Sequence, residues 1–268
     1  MARIIAVCNQ KGGVGKTTTS VNLGSYLAAL GKRVLLVDFD PQANASSALG
    51  HKVLSETPGI YHAVAGIAGS AEVIKSSPVF RFHYIPAAQN LAGLLVELVA
   101  QKDREHFLRK FLLPIRHEYD YVLIDLPPSL SLLTINGMIA ADEILVPVQA
   151  EYYSLEGLSQ LLKTVALIRN NLRHPLKIAG AVVTMFNKRE RLSREVAREL
   201  KDHFPHHVYN VRIPRSVALA EAPSFARPVM LHAPDSSGAR AYADLAAEVV
   251  AQEEAYKVPQ HFGNFNNS

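Results

Sequence analysis

The sequence predicts an α/β fold, a doubly wound and mostly parallel twisted sheet flanked by helices. Short apolar runs alternate with longer helical patterns along the chain. Several of these runs are almost continuously apolar, as expected of parallel strands covered on both faces. The first run, Ile4 to Cys8, passes into Gln-Lys-Gly-Gly-Val-Gly-Lys-Thr-Thr at 10–18, giving a strand, a glycine-rich turn and a helix start in succession.

In chain order the predicted strands are 3–8, 34–38, 82–86, 121–125, 144–148, 178–184 and 208–213. The predicted helices lie near 17–30, 89–100, 102–113, 131–140, 155–171, 191–203 and 238–254, and Gly31 stands where a C-cap glycine ends the first of them. Residues 41–80 are rich in Ala, Gly and Ser and read as a mobile surface region with short helices. No internal boundary is visible, so 1–256 is expected to be one domain and 257–268 a flexible tail.

A chain of 268 residues, 49% hydrophobic, is long enough for one α/β domain with a substantial core. Its one cysteine, Cys8, falls inside the first strand and reads as a small buried residue. It leaves no intramolecular disulfide and no site built from several cysteines of one chain. No targeting segment is visible, and no stretch reaches about 18 uninterrupted apolar residues, so a cytoplasmic protein is expected.

The segment 10–18 has the chemistry of a phosphate-binding loop. Gly12, Gly13, Val14 and Gly15 can turn backbone N–H groups inward, and the helix N-terminus at Lys16, Thr17 and Thr18 adds its positive end. Lys16 is placed to reach β- and γ-phosphates, and the Thr17 hydroxyl to ligand Mg²⁺. The usual loop begins with glycine, whereas this one has Gln10 followed by a second lysine, Lys11. Lys16 already serves the chain's own nucleotide, so Lys11 reads as a lysine that reaches a nucleotide in a second subunit. The plainer alternative is a solvated loop lysine.

Two later strands end in carboxylates, where α/β sheets place their sites. Val37-Asp38-Phe39-Asp40 offers Asp40 to orient or deprotonate an attacking water and Asp38 to support the Mg²⁺ shell. Ile124-Asp125 has the form of a Walker B carboxylate, and the Pro127-Pro128 step after it reads as a rigid switch or a stiff turn. Asn187 follows the strand 178–184 and Pro214 the strand 208–213, and both are candidates to contact adenine.

The net charge is +4 and its distribution is uneven. Residues 186–215 hold eight Lys and Arg against four Asp and Glu, a surplus equal to that of the whole chain. Arg191, Arg194, Arg198 and Lys201 recur at helical spacing on one broad face, which suits a polyanion or, equally, a solvated helix laced by pairs such as Arg191 with Glu195. His203, His206 and His207 lack a familiar ligand spacing and read as a polar turn.

KGGVGKTTT, VLLVDFDPQANAS, YDYVLIDLPPSLSLLTING and IPRSVALAEAPSFARPV together resemble the ParA/Soj family of chromosome- and plasmid-partitioning ATPases, from about residue 3 to 252. The first motif marks the wider deviant-Walker group of P-loop NTPases, and the last points within it to ParA/Soj. The resemblance implies a Mg²⁺-dependent ATP hydrolase that forms a face-to-face homodimer on ATP, with Lys11 crossing to the partner's phosphates and Gly12 at the closest approach. It further implies nonspecific binding of double-stranded DNA, nucleoid association, and hydrolysis stimulated by a ParB-type partner.

Arg215 matches a family position implicated in DNA binding. Ser237 stands where many relatives carry another such arginine, with Arg240 one turn on. No N-terminal helix-turn-helix precedes the loop, so operator binding is not expected. A MinD-like membrane ATPase would need a basic amphipathic C-terminal helix, but 238–254 carries Glu248, Glu253 and Glu254. A nitrogenase-iron-protein-like reductase would need two cysteines per subunit. A small-molecule kinase or synthetase would have no use for the basic stretch, and Asp40 argues against a non-hydrolysing DNA tether.

Overall fold

The computed structural model describes residues 1–51, 57–152 and 154–257. The chain runs through β1 (Arg3–Val7), α1 (Lys16–Ala29), β2 (Val34–Asp38), α2 (Asn44–Ala48), α3 (Ile60–Val64), α4 (Ser70–Val73), β3 (Lys75–Ser76) and β4 (Phe82–Ile85). It continues through α5 (Leu94–Val99), α6 (Phe107–Ile115), β5 (Tyr121–Asp125), α7 (Leu132–Ala140), β6 (Glu143–Gln149) and α8 (Ser154–Asn171). The last elements are β7 (Lys177–Phe186), α9 (Arg191–His203), β8 (Val208–Pro214), α10 (Val217–Glu221), α11 (Val229–His232) and α12 (Ser237–Lys257).

The strands form one sheet in the order β3-β4-β2-β5-β1-β6-β7-β8, parallel except for β3, which pairs antiparallel with β4 at the edge. The order of strand addition changes sides next to β1, with β5 and β2 on one side and β6, β7 and β8 on the other, so the loop leaving β1 opens at the carboxyl edge at a switch point, where such sheets bind ligands.

Alternation along each strand divides the core in two. Ile4, Ala6, Leu35, Val37, Val122 and Ile124 face α3, α6, α7, α8 and α9. Ile5, Val7, Val34, Leu36 and Leu123 face α1 and α12 through Leu23, Leu27, Tyr242 and Leu245. The first helix ends as expected, with Gly31 N–H donating to Ala28 O at 2.9 Å and Lys32 N–H to Leu27 O at 3.2 Å, the two bonds of a Schellman motif.

Three expectations need correction. The helix expected over 102–113 is α6, shifted to 107–115, and the one over 89–100 is a 3₁₀ turn at 89–92 followed by α5. The described parts of 41–80 are packed: Ala45, Ala48, Leu49, Ile60, Val64 and Val73 are buried against the sheet, and β3, which sequence did not reveal, adds an edge strand. Small residues there mark close packing of short helices, which composition alone does not distinguish from a surface loop. Of the expected tail, Lys257 ends α12 and 258–268 lie outside the described residues.

Gly24 brings α1 close to the sheet. A Cβ there would meet the Phe82 ring at 2.8 Å and Leu123 Cδ1 at 3.3 Å, and both side chains are fully buried. Alanine is the better helix former by about 1 kcal/mol, yet Gly24→Ala is expected to destabilise by about 1–3 kcal/mol through overpacking. Urea unfolding of the two proteins checks this.

Candidate nucleotide site

Strand register brings the acidic groups together. β2 and β5 pair with Val37 beside Ile124 and Asp38 beside Asp125, and Val7 of β1 pairs with Asp125 from the other side. Asp38 and Asp125 are both 1% exposed, so two carboxylates lie side by side below the loop that follows β1.

The loop is fixed from beneath and left open above. Asn9 Nδ2 donates to Pro147 O at 2.7 Å while its Oδ1 accepts from Lys11 N–H at 3.0 Å. Thr184 donates its hydroxyl to Val14 O at 2.8 Å. Gly13 and Gly15 have φ of 73° and 87°, the left-handed region that favours glycine. A Cβ at Gly12 or Gly13 would meet nothing within 4 Å, so the loop is open at these two positions.

Lys16 is 7% exposed and its Nζ donates back to Lys11 O at 3.1 Å. Burial lowers its pKa, and the nearby Asp125 charge pulls it back up. Thr17 donates to Asp125 Oδ2 at 2.7 Å and Ser20 to Oδ1 at 2.9 Å. Asp38 Oδ2 accepts from Ser46 Oγ at 2.6 Å and from Ser46 N–H at 2.8 Å. Asp40, 8% exposed, follows at the turn, where its Oδ1 accepts from Gln42 N–H at 3.0 Å.

Burial pushes Asp125 up to about 7, helped by Asp38, against the hydrogen bonds from Thr17 and Ser20. Burial likewise pushes Asp38 up to about 6, against its bonds to Ser46. Beside them burial raises the Cys8 thiol to about 12, so it stays an inert neutral group. The two carboxyls thus resist ionising together beside Lys16 alone, and added positive charge such as a hard divalent cation would favour their ionised forms.

Ser20, Ser46, Asn9 and Thr184 were not picked out from sequence. Ser20 was legible in principle, since it lies three residues after Thr17 on the same helix face. Asn9 and Thr184 depend on contacts distant in the chain, and Ser46 on the turn that brings it back over Asp38, eight residues earlier.

The adenine candidates separate. A pocket of about 180 Å³ beside Gly15 and Thr18 is lined by Met185, Pro214, Leu219 and Tyr242. Asn187 is not among its lining residues; its amide donates to Glu190 at 2.7 Å and its Oδ1 accepts from Arg189 N–H at 3.1 Å.

The basic candidates form two groups. Arg191, Arg194, Arg198 and Lys201 are exposed on α9, opposite buried Ser193, Val196, Ala197 and Leu200. Arg191 pairs with Glu195 at 2.6 Å and Arg194 donates to Lys188 O at 2.9 Å. Arg215 instead lies by the loop, 4.0 Å from Glu151. Arg240, which donates to Asp235 O at 2.7 Å, is on α12, whose Gly238 packs against Ser216 and Leu219 next to Arg215. His203 and His207 approach different carboxylates, Glu199 at 3.2 Å and Glu248 at 3.6 Å. Among the described residues no helix is long and apolar enough to cross a membrane.

Comparison with known proteins shows the family. A family model described as AAA domain matches residues 2–178. The sporulation initiation inhibitor protein Soj of Bacillus subtilis is 50% identical over 251 residues, covering 94% of this chain and 99% of that protein. The chain belongs to the Soj/ParA family. The chromosome-partitioning ATPase Soj of Treponema pallidum is 46% identical over 253 residues, with 94% and 99% coverage. Among solved structures, cobyrinic acid a,c-diamide synthase from Mycobacterium smegmatis with a bound ATP analog and magnesium superposes with a TM-score of 0.84 at 32% identity, covering 96% of this chain and 98% of that one.

The buried carboxylates set a pH dependence. A carboxyl whose folded pKa is raised above its ordinary value near 4 binds more protons when folded, so its contribution to stability falls as pH rises through that window. For Asp125 the window ends at about 7. Between pH 5 and 8 nucleotide-free wild type is expected to lose about 2 kcal/mol more stability than Asp125→Asn. Denaturant unfolding at the two pH values checks the difference.

Proposed function

We propose that this chain is an ATP hydrolase of the partitioning type. It dimerises on ATP, binds double-stranded DNA without sequence preference, and drives segregation of a chromosome or plasmid on the nucleoid, with hydrolysis stimulated by a ParB-type partner. The observation that carries the reading is the open glycine loop set over Lys16, Asp125 and Asp38, in a chain 50% identical to Soj over nearly its whole length.

The residues present fit a nucleotide triphosphate with Mg²⁺. Loop N–H groups from Gly12 to Thr18 and the Lys16 ammonium would hold the phosphates, and Met185, Pro214, Leu219 and Tyr242 the base. Thr17 and Asp125 would hold Mg²⁺, with Asp38 supporting them, and the ion supplies charge neutralisation on the phosphate oxygens. Asp40 sits at the rim and orients the water that attacks the γ-phosphate. Lys11 reaches the partner's nucleotide. Arg215, Arg240 and the α9 face contact DNA phosphates.

The M. smegmatis synthase shares the fold at 32% identity, so a small-molecule synthetase is the competing reading. The higher identity to the Soj proteins at similar coverage, and the basic face of α9, favour DNA.

Asp40→Ala is expected to lower ATP turnover by about a hundred- to ten-thousand-fold while keeping ATP-dependent dimers. Lys16→Ala should lose ATP binding. Asp40→Ala protein should bind a nonspecific duplex with ATP and not with ADP; equal binding with both, or none, would remove the proposed gate. Arg215→Ala should weaken that binding and reduce the slope of log affinity against log salt by about one.

A further inference from the structure

Glu151 follows β6 at the rim of the site, and its two oxygens are engaged differently. Oε2 accepts from Lys11 Nζ at 3.2 Å. Oε1 accepts from Gln149 Nε2 at 2.7 Å and lies 4.0 Å from the Arg215 guanidinium. Ser154 Oγ, 3.5 Å away, is a second acceptor for the same Lys11 ammonium. Lys11 is thus folded back onto its own subunit, held by the segment that starts α8.

We infer that Glu151 is a positioning residue that latches Lys11 in cis, and that ATP-driven pairing with a second copy must first break this contact. The inference rests on the proposed reach of Lys11 to a partner's nucleotide. Three features suit a latch. The Gln149 amide ties down Oε1, so the carboxylate stays with its own subunit when the lysine leaves. Arg215 is a second cation at that oxygen, so Glu151 keeps a counter-charge after Lys11 departs.

The third feature is exposure. The side chains of Lys11 and Glu151 are 33% and 47% exposed. A pair this open is worth a factor of about two to five, where a buried one would resist opening far more strongly. A twofold dimer opens one latch in each subunit, so the factor enters squared. The latch therefore weakens pairing by about four- to twenty-five-fold without preventing assembly on ATP.

The test is sedimentation of Asp40→Ala protein, in which hydrolysis is blocked, with Mg²⁺ and either ATP or ADP, beside the same protein carrying Glu151→Gln. Glu151→Gln is expected to lower the dimer Kd with ATP by about four- to twenty-five-fold, leaving the ADP form monomeric and the melting temperature of the monomer in place. Ser154→Ala should act in the same direction with a smaller effect, and it carries the test if Glu151→Gln fails to fold. An unchanged or higher dimer Kd in a folded variant overturns the latch while the functional reading stands. Failure of the Asp40→Ala parent to dimerise on ATP, or dimerisation of its Lys11→Ala form as tight as the parent's, overturns the functional reading and the latch with it.

Discussion

Asp38 and Asp125 occupy paired positions on adjacent parallel strands, and both are removed from water. Two like charges in that environment are costly unless hydrogen bonds and cations compensate them. The surroundings are arranged to that end. Thr17 and Ser20 of α1 both point hydroxyls at Asp125, Ser46 of α2 gives Asp38 a hydroxyl and an N–H, and Lys16 is drawn under the loop beside them. The glycine loop turns as it does because α1 must begin where its first turn meets Asp125. The packing of α2 in a segment of mostly small residues has the same origin, since Ser46 must reach Asp38.

The two lysines of the loop occupy opposite environments a few residues apart. Lys16 is buried and bonded to the loop's own backbone, so its position is set by the fold. The Lys11 side chain is a third exposed, and its ammonium is held by side chains from beyond β6. A fixed cation stabilises phosphate charge without reorganisation when the ligand arrives. A cation on a weak tether can exchange one partner for another, which is what sensing a nucleotide across an interface requires. The division of labour follows from burial, and the sequence shows only two identical residue types.

Strongly periodic or continuous apolar segments were legible. All seven predicted strands exist within two residues of their expected ends, because a parallel strand covered on both faces leaves a nearly unbroken apolar run, and the edge strand β8 still alternates apolar with polar residues. What failed depended on packing. Lys75 and Ser76 form a strand only because β4 offers a free edge, and 102–106 stays out of α6 despite helix-compatible residues. At the site, the motif residues were legible because phosphate chemistry restricts their type and spacing. Ser46 and Thr184 were not, since a hydroxyl that orients a carboxylate or caps a carbonyl resembles any other hydroxyl until the strands are aligned. Glu151 was missed for the same reason, being separated by 140 residues from the lysine it holds.

The placement of positive charge bears on why DNA binding would depend on nucleotide at all. The basic residues of one protomer are exposed and divided between α9 and the region of Arg215 and Arg240, and part of their charge is already spent on Glu195 and Glu151. Counterion release makes affinity grow exponentially with the number of phosphates neutralised, so a protomer with few free cations binds weakly at physiological salt. Joining two protomers doubles the contacts on one duplex and makes the second set intramolecular, which multiplies affinity without any new residue. A dimer assembled on ATP would therefore bind DNA far more tightly than the separated chains, even if no side chain on the DNA-facing surface moved. Nucleotide control then needs only to act on pairing, at the loop.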